Sequence, residues 1–221
     1  MTVLGEKKMK DLLFVMVFGY LMGNIQASYI LGRLIYKVDI RKLGHGNAGA
    51  SNAIDSIGWK FGLAVATIDV AKGLVTILIV KAIYELGFNT EGAVLLYVAG
   101  YSAMLGHIFP FFMKFKGGKG TATLIGILMG FNPWFGIVGI LVVIGITLIT
   151  DFVSVSALFL ALYVIGLTMV YDLGMIPIII SIAGALLSIW MHLPNYRRIV
   201  MGNEGRLSLV LKKIRRKNKG E

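Results

Sequence analysis

FVSVSALFLALYVIGLTMVY, residues Phe152–Tyr171, contains no charged side chain. A bilayer core of about 30 Å is crossed by roughly 20 apolar residues in a helix, so this stretch predicts a membrane span. Further apolar segments lie on either side: Asp11–Tyr36, Phe61–Ile83, Ala93–Met113, Thr121–Phe131, Trp134–Ile149 and Gly174–Met191. Together they make seven, two of them short. The short pair meets at Asn132 and Pro133, which suit a tight turn, and it fits either two tilted half-length spans or one broken element. A chain that is 57% hydrophobic, with a mean hydropathy of +0.81, is too apolar for a soluble globule. The first apolar run has no small-residue cleavage pattern after it, so the first helix is expected to stay in the membrane. The fold expected is an all-α integral membrane bundle of seven transmembrane helices. It forms a single domain over 1–221, with short re-entrant or interfacial glycine-rich loops and a basic cytoplasmic tail over 199–221.

The formal net charge of +11 is explained by membrane topology, because basic residues collect where they face the cytoplasm and anionic headgroups. Nucleic acid is not an expected partner; the basic tail is read as lying on anionic membrane lipid. Basic loops follow the first segment (Arg33, Lys37, Arg41, Lys42, Lys60) and the third (Lys114, Lys116, Lys119), whereas Tyr84–Gly92 carries Glu85 and Glu91 and no base. The positive-inside rule then puts these loops and the C-terminus in the cytoplasm and the N-terminus outside, against the opposing pull of Lys7, Lys8 and Lys10. The absence of cysteine excludes disulfides, thiol nucleophiles and zinc-thiolate sites.

Three polar clusters interrupt the apolar chain and fall on one predicted side: GHGNAGASN at Gly44–Asn52, GHIFP at Gly106–Pro110 leading into KGGKGTAT at Lys116–Thr123, and HLPNYRR at His192–Arg198. Irregular polar backbone at membrane depth is tolerated where it is buried or lines a wet cavity, so convergence on one site is expected. Around Lys119, Gly117, Gly118 and Gly120 permit backbone angles that turn N–H groups toward an anion. The same residues fit a flexible turn with ordinary cytoplasmic lysines. Gly46, Asn47, Ser51 and Asn52 offer amide and hydroxyl groups to phosphate or hydroxyl oxygens, with Ser51 or Asn52 also suited to an N-cap. His107 and His192 can move a proton or bind phosphate, or serve structure at a helix end. Asp69 and Lys72 can pair inside the membrane. Gly32, Gly62, Gly73 and Gly100 are read as close helix contacts. Three scattered histidines make no metal site.

On these residues the chain resembles the PlsY family, the integral-membrane acyl-phosphate:glycerol-3-phosphate acyltransferases of bacteria, over nearly its whole length. The resemblance is carried by Gly23–Arg33, DIRKLG at Asp39–Gly44, GNAGASN at Gly46–Asn52, GHIFP with FKGGKG at Phe115–Gly120, and His192 with Asn195 and Arg198. It implies a seven-helix fold in the bacterial inner membrane, an active site facing the cytoplasm, and acyl transfer from acyl phosphate to the 1-position of glycerol 3-phosphate, giving lysophosphatidic acid without a cofactor. By the same resemblance Lys119 and its glycines hold phosphate, Asn195 and Arg198 bind the acceptor, and His107 or His192 orients it or relays a proton.

The chain departs from the family pattern at several motif positions. His45 replaces the serine of G-S-G-N, Asp55 the arginine of T-N-V-x-R, Asp151 the arginine of T-R-Y-V-S-L-x-S, and Met191, Leu193 and Tyr196 two arginines and an isoleucine of the last motif. Lost cations weaken attraction for a dianion, which leaves two alternatives: a paralogue acylating another phosphorylated acceptor, and a small anion or lipid transporter.

Overall fold

The computed structural model describes residues 3–218; the ends of the chain, including the last three residues of the basic tail, lie outside the described residues. The chain forms ten α-helices among the described residues: α1 (Val3–Gly23), α2 (Ala27–Ile35), α3 (Ala50–Ser56), α4 (Trp59–Tyr84), α5 (Thr90–Ile108), α6 (Thr121–Phe131), α7 (Pro133–Thr150), α8 (Val153–Val170), α9 (Met175–Val200) and α10 (Leu207–Asn218). Six stretches are long and apolar enough to cross a membrane: Lys8–Ile35, α4, Thr90–Met113, α7, α8 and α9. Leu141, Leu148 and Leu186 each stand more than 60% exposed, as lipid-facing side chains do. α6 is the one short member of the expected seven; its 11 residues rise only about 16 Å. The short pair is therefore unequal. α7 spans by itself and begins with Asn132 Oδ1 accepting from Trp134 N at 2.9 Å and Pro133 in the first turn, where a missing N–H leaves nothing unsatisfied.

Three expectations about local structure are corrected. Asp11–Tyr36 is one apolar run in sequence but two helices, broken at Asn24–Gln26. The polar side chains at the break serve the end of α5: Gln26 Nε2 donates to His107 O at 3.0 Å, and Asn24 Oδ1 accepts from Phe111 N at 3.0 Å. Gln26 thereby adds a second donor to His107 O beside Gly118 N, and Asn24 gives Phe111 N its acceptor, so the polar break and the end of α5 hold one another. The cluster His192–Arg198 is not a loop; it forms the last turns of α9, with Pro194 inside the helix. The N-cap of α3 is Gly49, which makes no side-chain cap, and Ser51 and Asn52 lie within the helix.

Helix contacts rest on small residues. A Cβ on Gly23 would overlap Ala103 O of α5, and one on Gly126 would overlap Val70 O of α4, so α1 meets α5 and α4 meets α6 backbone to backbone. Among the glycines expected at such contacts, Gly73 is crowded by the α6 backbone, Gly62 first by the Ile54 side chain and Gly100 by the Ile127 and Ile77 side chains, while Gly32 has only Val38 O at 3.3 Å. Without a hydrophobic drive between helices in lipid, such close approach supplies the packing energy. It also draws the starts of α3 and α6 and the end of α9 around one cavity.

Candidate active site

That cavity holds about 340 Å³ and takes wall residues from all three polar clusters: His45, Asn47 and Ser51, then Lys119 and Gly120, then His192 and Asn195. Where the second and third clusters meet, Lys119 Nζ donates to Asn195 Oδ1. Asn195 Nδ2 donates to Glu204 Oε1 at 2.6 Å, and Arg198 Nε donates to Glu204 Oε2 at 2.7 Å. Burial holds the Lys119 ammonium down to about 8, with the Arg198 charge adding to the effect and Glu204 opposing it. A cation so poorly solvated favours an incoming dianion, which replaces its missing water. His192 is 5% exposed and its Nδ1 lies 2.8 Å from Ser188 O. A carbonyl can only accept, so Nδ1 carries the proton and the Nε2 lone pair is left as a base.

The glycine loop is built differently from the expected nest. Gly118 N donates to His107 O at 3.1 Å and Gly117 N to Ile108 O at 3.0 Å, so both N–H groups are spent on the end of α5. Neither glycine belongs to the cavity wall. They are small because the loop lies against α5: a Cβ on Gly118 would overlap His107 Nε2. After Lys119 the cavity wall continues through Gly120, Thr121 and Ala122. They start α6, where Gly120 has φ 88° and no side chain caps the first-turn N–H groups. An uncapped helix start of this kind favours an anion.

His107 is on the wall but only 3% exposed, and its Nδ1 lies 2.7 Å from Lys72 Nζ. Lys72 also pairs with Asp69 Oδ1 at 2.7 Å and donates to Ile25 O at 2.7 Å. An ammonium only donates, which puts the His107 lone pair on Nδ1. The intramembrane pair expected at Asp69 and Lys72 is thus present and extends to a triad. It joins the α1–α2 break to the end of α5 and, through His107, to the glycine loop. His107 is thus tied, through its carbonyl and Gly118 N, to the loop that carries Lys119.

In the first cluster Asn52 is 1% exposed and its amide is consumed by the loop: Oδ1 accepts from His45 N at 2.6 Å, and Nδ2 donates to Asn47 O at 2.7 Å. Asn47 Oδ1 accepts from Gly49 N at 2.9 Å. Gly46, with φ 72°, shapes the turn but does not belong to the wall. Ser51 is exposed on the wall. Two of the departures face each other there, His45 Nε2 lying 3.6 Å from Asp55 Oδ2. Arg41 and Arg198 have carboxylates of their own in Asp39 and Glu204. The bidentate Arg41 hydrogen bonds hold the Asp39 carboxyl below its usual range.

Glu204 is a wall residue that sequence reasoning missed. Its side chain is 8% exposed and it organises Asn195 and Arg198. The available signal was a lone interior acid in a tail of arginines and lysines.

The family model described as glycerol-3-phosphate acyltransferase matches residues 13–202. The glycerol-3-phosphate acyltransferase of Thermoanaerobacter pseudethanolicus is 35% identical over 86% of this chain and 93% of its own. Glycerol-3-phosphate acyltransferase 1 of Oceanobacillus iheyensis is 35% identical over 89% and 95%. The crystal structure of PlsY, an integral membrane glycerol 3-phosphate acyltransferase, in its glycerol 3-phosphate form superposes with a TM-score of 0.79 at 31% identity, covering 89% of this chain and 95% of the other. Its lysophosphatidic acid form gives 0.75 at 30% identity, covering 88% and 94%.

Proposed function

The chain belongs to the glycerol-3-phosphate acyltransferase family, and from that membership and the chemistry of the cavity we propose that it transfers a fatty acyl group from acyl phosphate to the 1-hydroxyl of glycerol 3-phosphate, giving lysophosphatidic acid. The observation that carries the reading is the meeting of Lys119, His192, Asn195 and Arg198, from two distant segments, on and just behind one cavity wall. Lys119 and Arg198 supply cationic charge, Asn195 and Ser51 neutral polar contacts, and the start of α6 uncapped N–H groups. Acyl phosphate suits such a site. It is a mixed anhydride with a good leaving group, so no covalent enzyme intermediate is needed. The acceptor oxygen attacks the acyl carbonyl carbon, the bond from that carbon to the phosphate oxygen breaks, and phosphate departs with the electron pair. The hydroxyl proton goes to His192 Nε2 or to the leaving phosphate. We place the protein in the bacterial inner membrane as a single domain, with the cavity and the tail on the cytoplasmic side, because the basic loops adjoin this face.

The pair His45 and Asp55 favours one second reading, another phosphorylated acceptor whose free hydroxyls bond to that carboxylate. A titration tests the main one. Lys119 must be charged to bind a phosphate dianion, and its folded value is about 8. The Michaelis constant for glycerol 3-phosphate therefore rises as pH passes upward through that value in the wild type. It stays flat in Lys119→Arg, since a guanidinium keeps its charge, and Lys119→Ala loses about 100-fold or more in turnover at every pH. A flat profile in the wild type, or near-normal turnover in Lys119→Ala, removes Lys119 from the phosphate site.

A further inference from the structure

The family match ends at Gly202, yet the cavity continues past it. Leu207 and Val210, one helical turn apart in α10, belong to the wall together with Ile125 of α6, Val143 of α7 and Val153 of α8. Leu209 and Leu211 each stand 53% exposed, so the cavity takes one face of this helix. The helix is fastened by the residue that departs most oddly from the family pattern. Asp151, at φ 68° in the turn between α7 and α8, accepts from Ser208 N at 2.7 Å through Oδ1 and from Ser208 Oγ at 2.6 Å through Oδ2, while its own carbonyl accepts from Leu207 N at 3.0 Å. The first N–H groups of a helix have no partner within it; here a carboxylate from another element caps them and complements the helix dipole. Arg206 adds a guanidinium over the Phe152 ring, 5.7 Å from its centroid. An arginine at position 151 would face those N–H groups with the wrong charge.

We propose that α10 closes the acyl-chain part of the donor site, with Leu207 and Val210 setting which chain lengths are accepted. The polar wall accounts for phosphate and hydroxyl groups. Branched aliphatic side chains brought together from four elements match the one part of an acyl phosphate that has no polar atom, and burying its methylenes there removes apolar area from water. This rests on the acyltransferase reading above and adds to it a selectivity element carried by a segment outside the family match.

The test measures kcat/KM for saturated acyl phosphates from short to long chain, with glycerol 3-phosphate as acceptor. In Val210→Trp the ratio of long-chain to short-chain kcat/KM falls about tenfold or more, because added bulk excludes the last few methylenes, each worth a factor of about four. In Leu207→Ala the preference broadens toward longer chains, and Ser208→Ala, which loosens the fastening without touching the wall, broadens it less. The change falls on the donor ratio, with the Michaelis constant for glycerol 3-phosphate moving much less. Chain-length profiles that coincide with that of an active wild type, in whichever of these variants is recovered folded from membranes, overturn the inference and leave the acyltransferase reading standing. A wild type that turns over no acyl phosphate overturns that reading, and this one with it.

Discussion

Glu204, His45 and Asp55 contribute titratable groups to the polar wall of the cavity. The buried Glu204 carboxylate accepts one hydrogen bond each from Asn195 Nδ2 and Arg198 Nε and so orients both side chains. Asp55 is a third exposed on the wall and lies beside His45. A carboxylate about 4 Å from a phosphate charge costs roughly 1 kcal/mol per pair in water and more in a drier site. Asp55→Arg, restoring the residue usual in the family, is therefore expected to lower the Michaelis constant for glycerol 3-phosphate by about fivefold or more. Initial rates across acceptor concentration check it. Loss of the native reaction would instead mean that Asp55 accepts hydrogen bonds from another acceptor, and an unchanged constant would take the position out of substrate contact. Lys119 could be picked out in the sequence as a cation in a glycine loop, and Asn195 and Arg198 through the resemblance to the family's last motif. The pairing of His45 with Asp55 and the place of Glu204 could not, since both depend on which side chains meet across the fold.

The elements divide between those that hold the bundle and those that aim the site, and glycine serves both. Gly126 lets α6 lie on the α4 backbone; Gly118 lets the loop lie on His107. Ala at Gly126 must push two helices apart, and overpacking of this kind costs about 1–3 kcal/mol. Gly126→Ala is expected to lower the thermal midpoint in detergent. Gly118→Ala moves a loop whose next residue is Lys119, so it is expected to lose about 100-fold in kcat with little change in midpoint, because displacing a reacting group by about 1 Å is enough. Parallel melting and turnover measurements separate the two; equal effects in both variants would deny the division. Helix existence was readable from the length of the apolar runs. The break at Asn24–Gln26 was not, because Ile25 and the short polar residues beside it interrupt the hydropathy too little, and what decides the break is the need of the α5 terminus for partners. The last turns of α9 were misread for the opposite reason. Pro194 and the polar residues around it mimic a loop, but the preceding helix and the pairing of Arg198 with Glu204 keep the chain helical.

Across the whole molecule, a lipid-facing shell of aliphatic side chains surrounds helices that meet through small residues, and Asp69, Lys72, His107, Lys119 and His192 are gathered on or beside one cavity. Lys72, Asp69 and His107 connect the first break, the end of α5 and the glycine loop, so the geometry of Lys119 depends on contacts from α1 to α9. The seven apolar segments and their three polar interruptions foretold this architecture; the contribution of α10 was hidden, because its charged residues read as a tail. The measurement that bears most directly on the central claim is turnover by the purified protein supplied with acyl phosphate and labelled glycerol 3-phosphate in detergent or vesicles. The proposed reaction releases labelled lysophosphatidic acid and inorganic phosphate in equal amounts, without coenzyme A or a metal added. Release of phosphate with no acylated acceptor, or acylation only with a thioester donor, would contradict it.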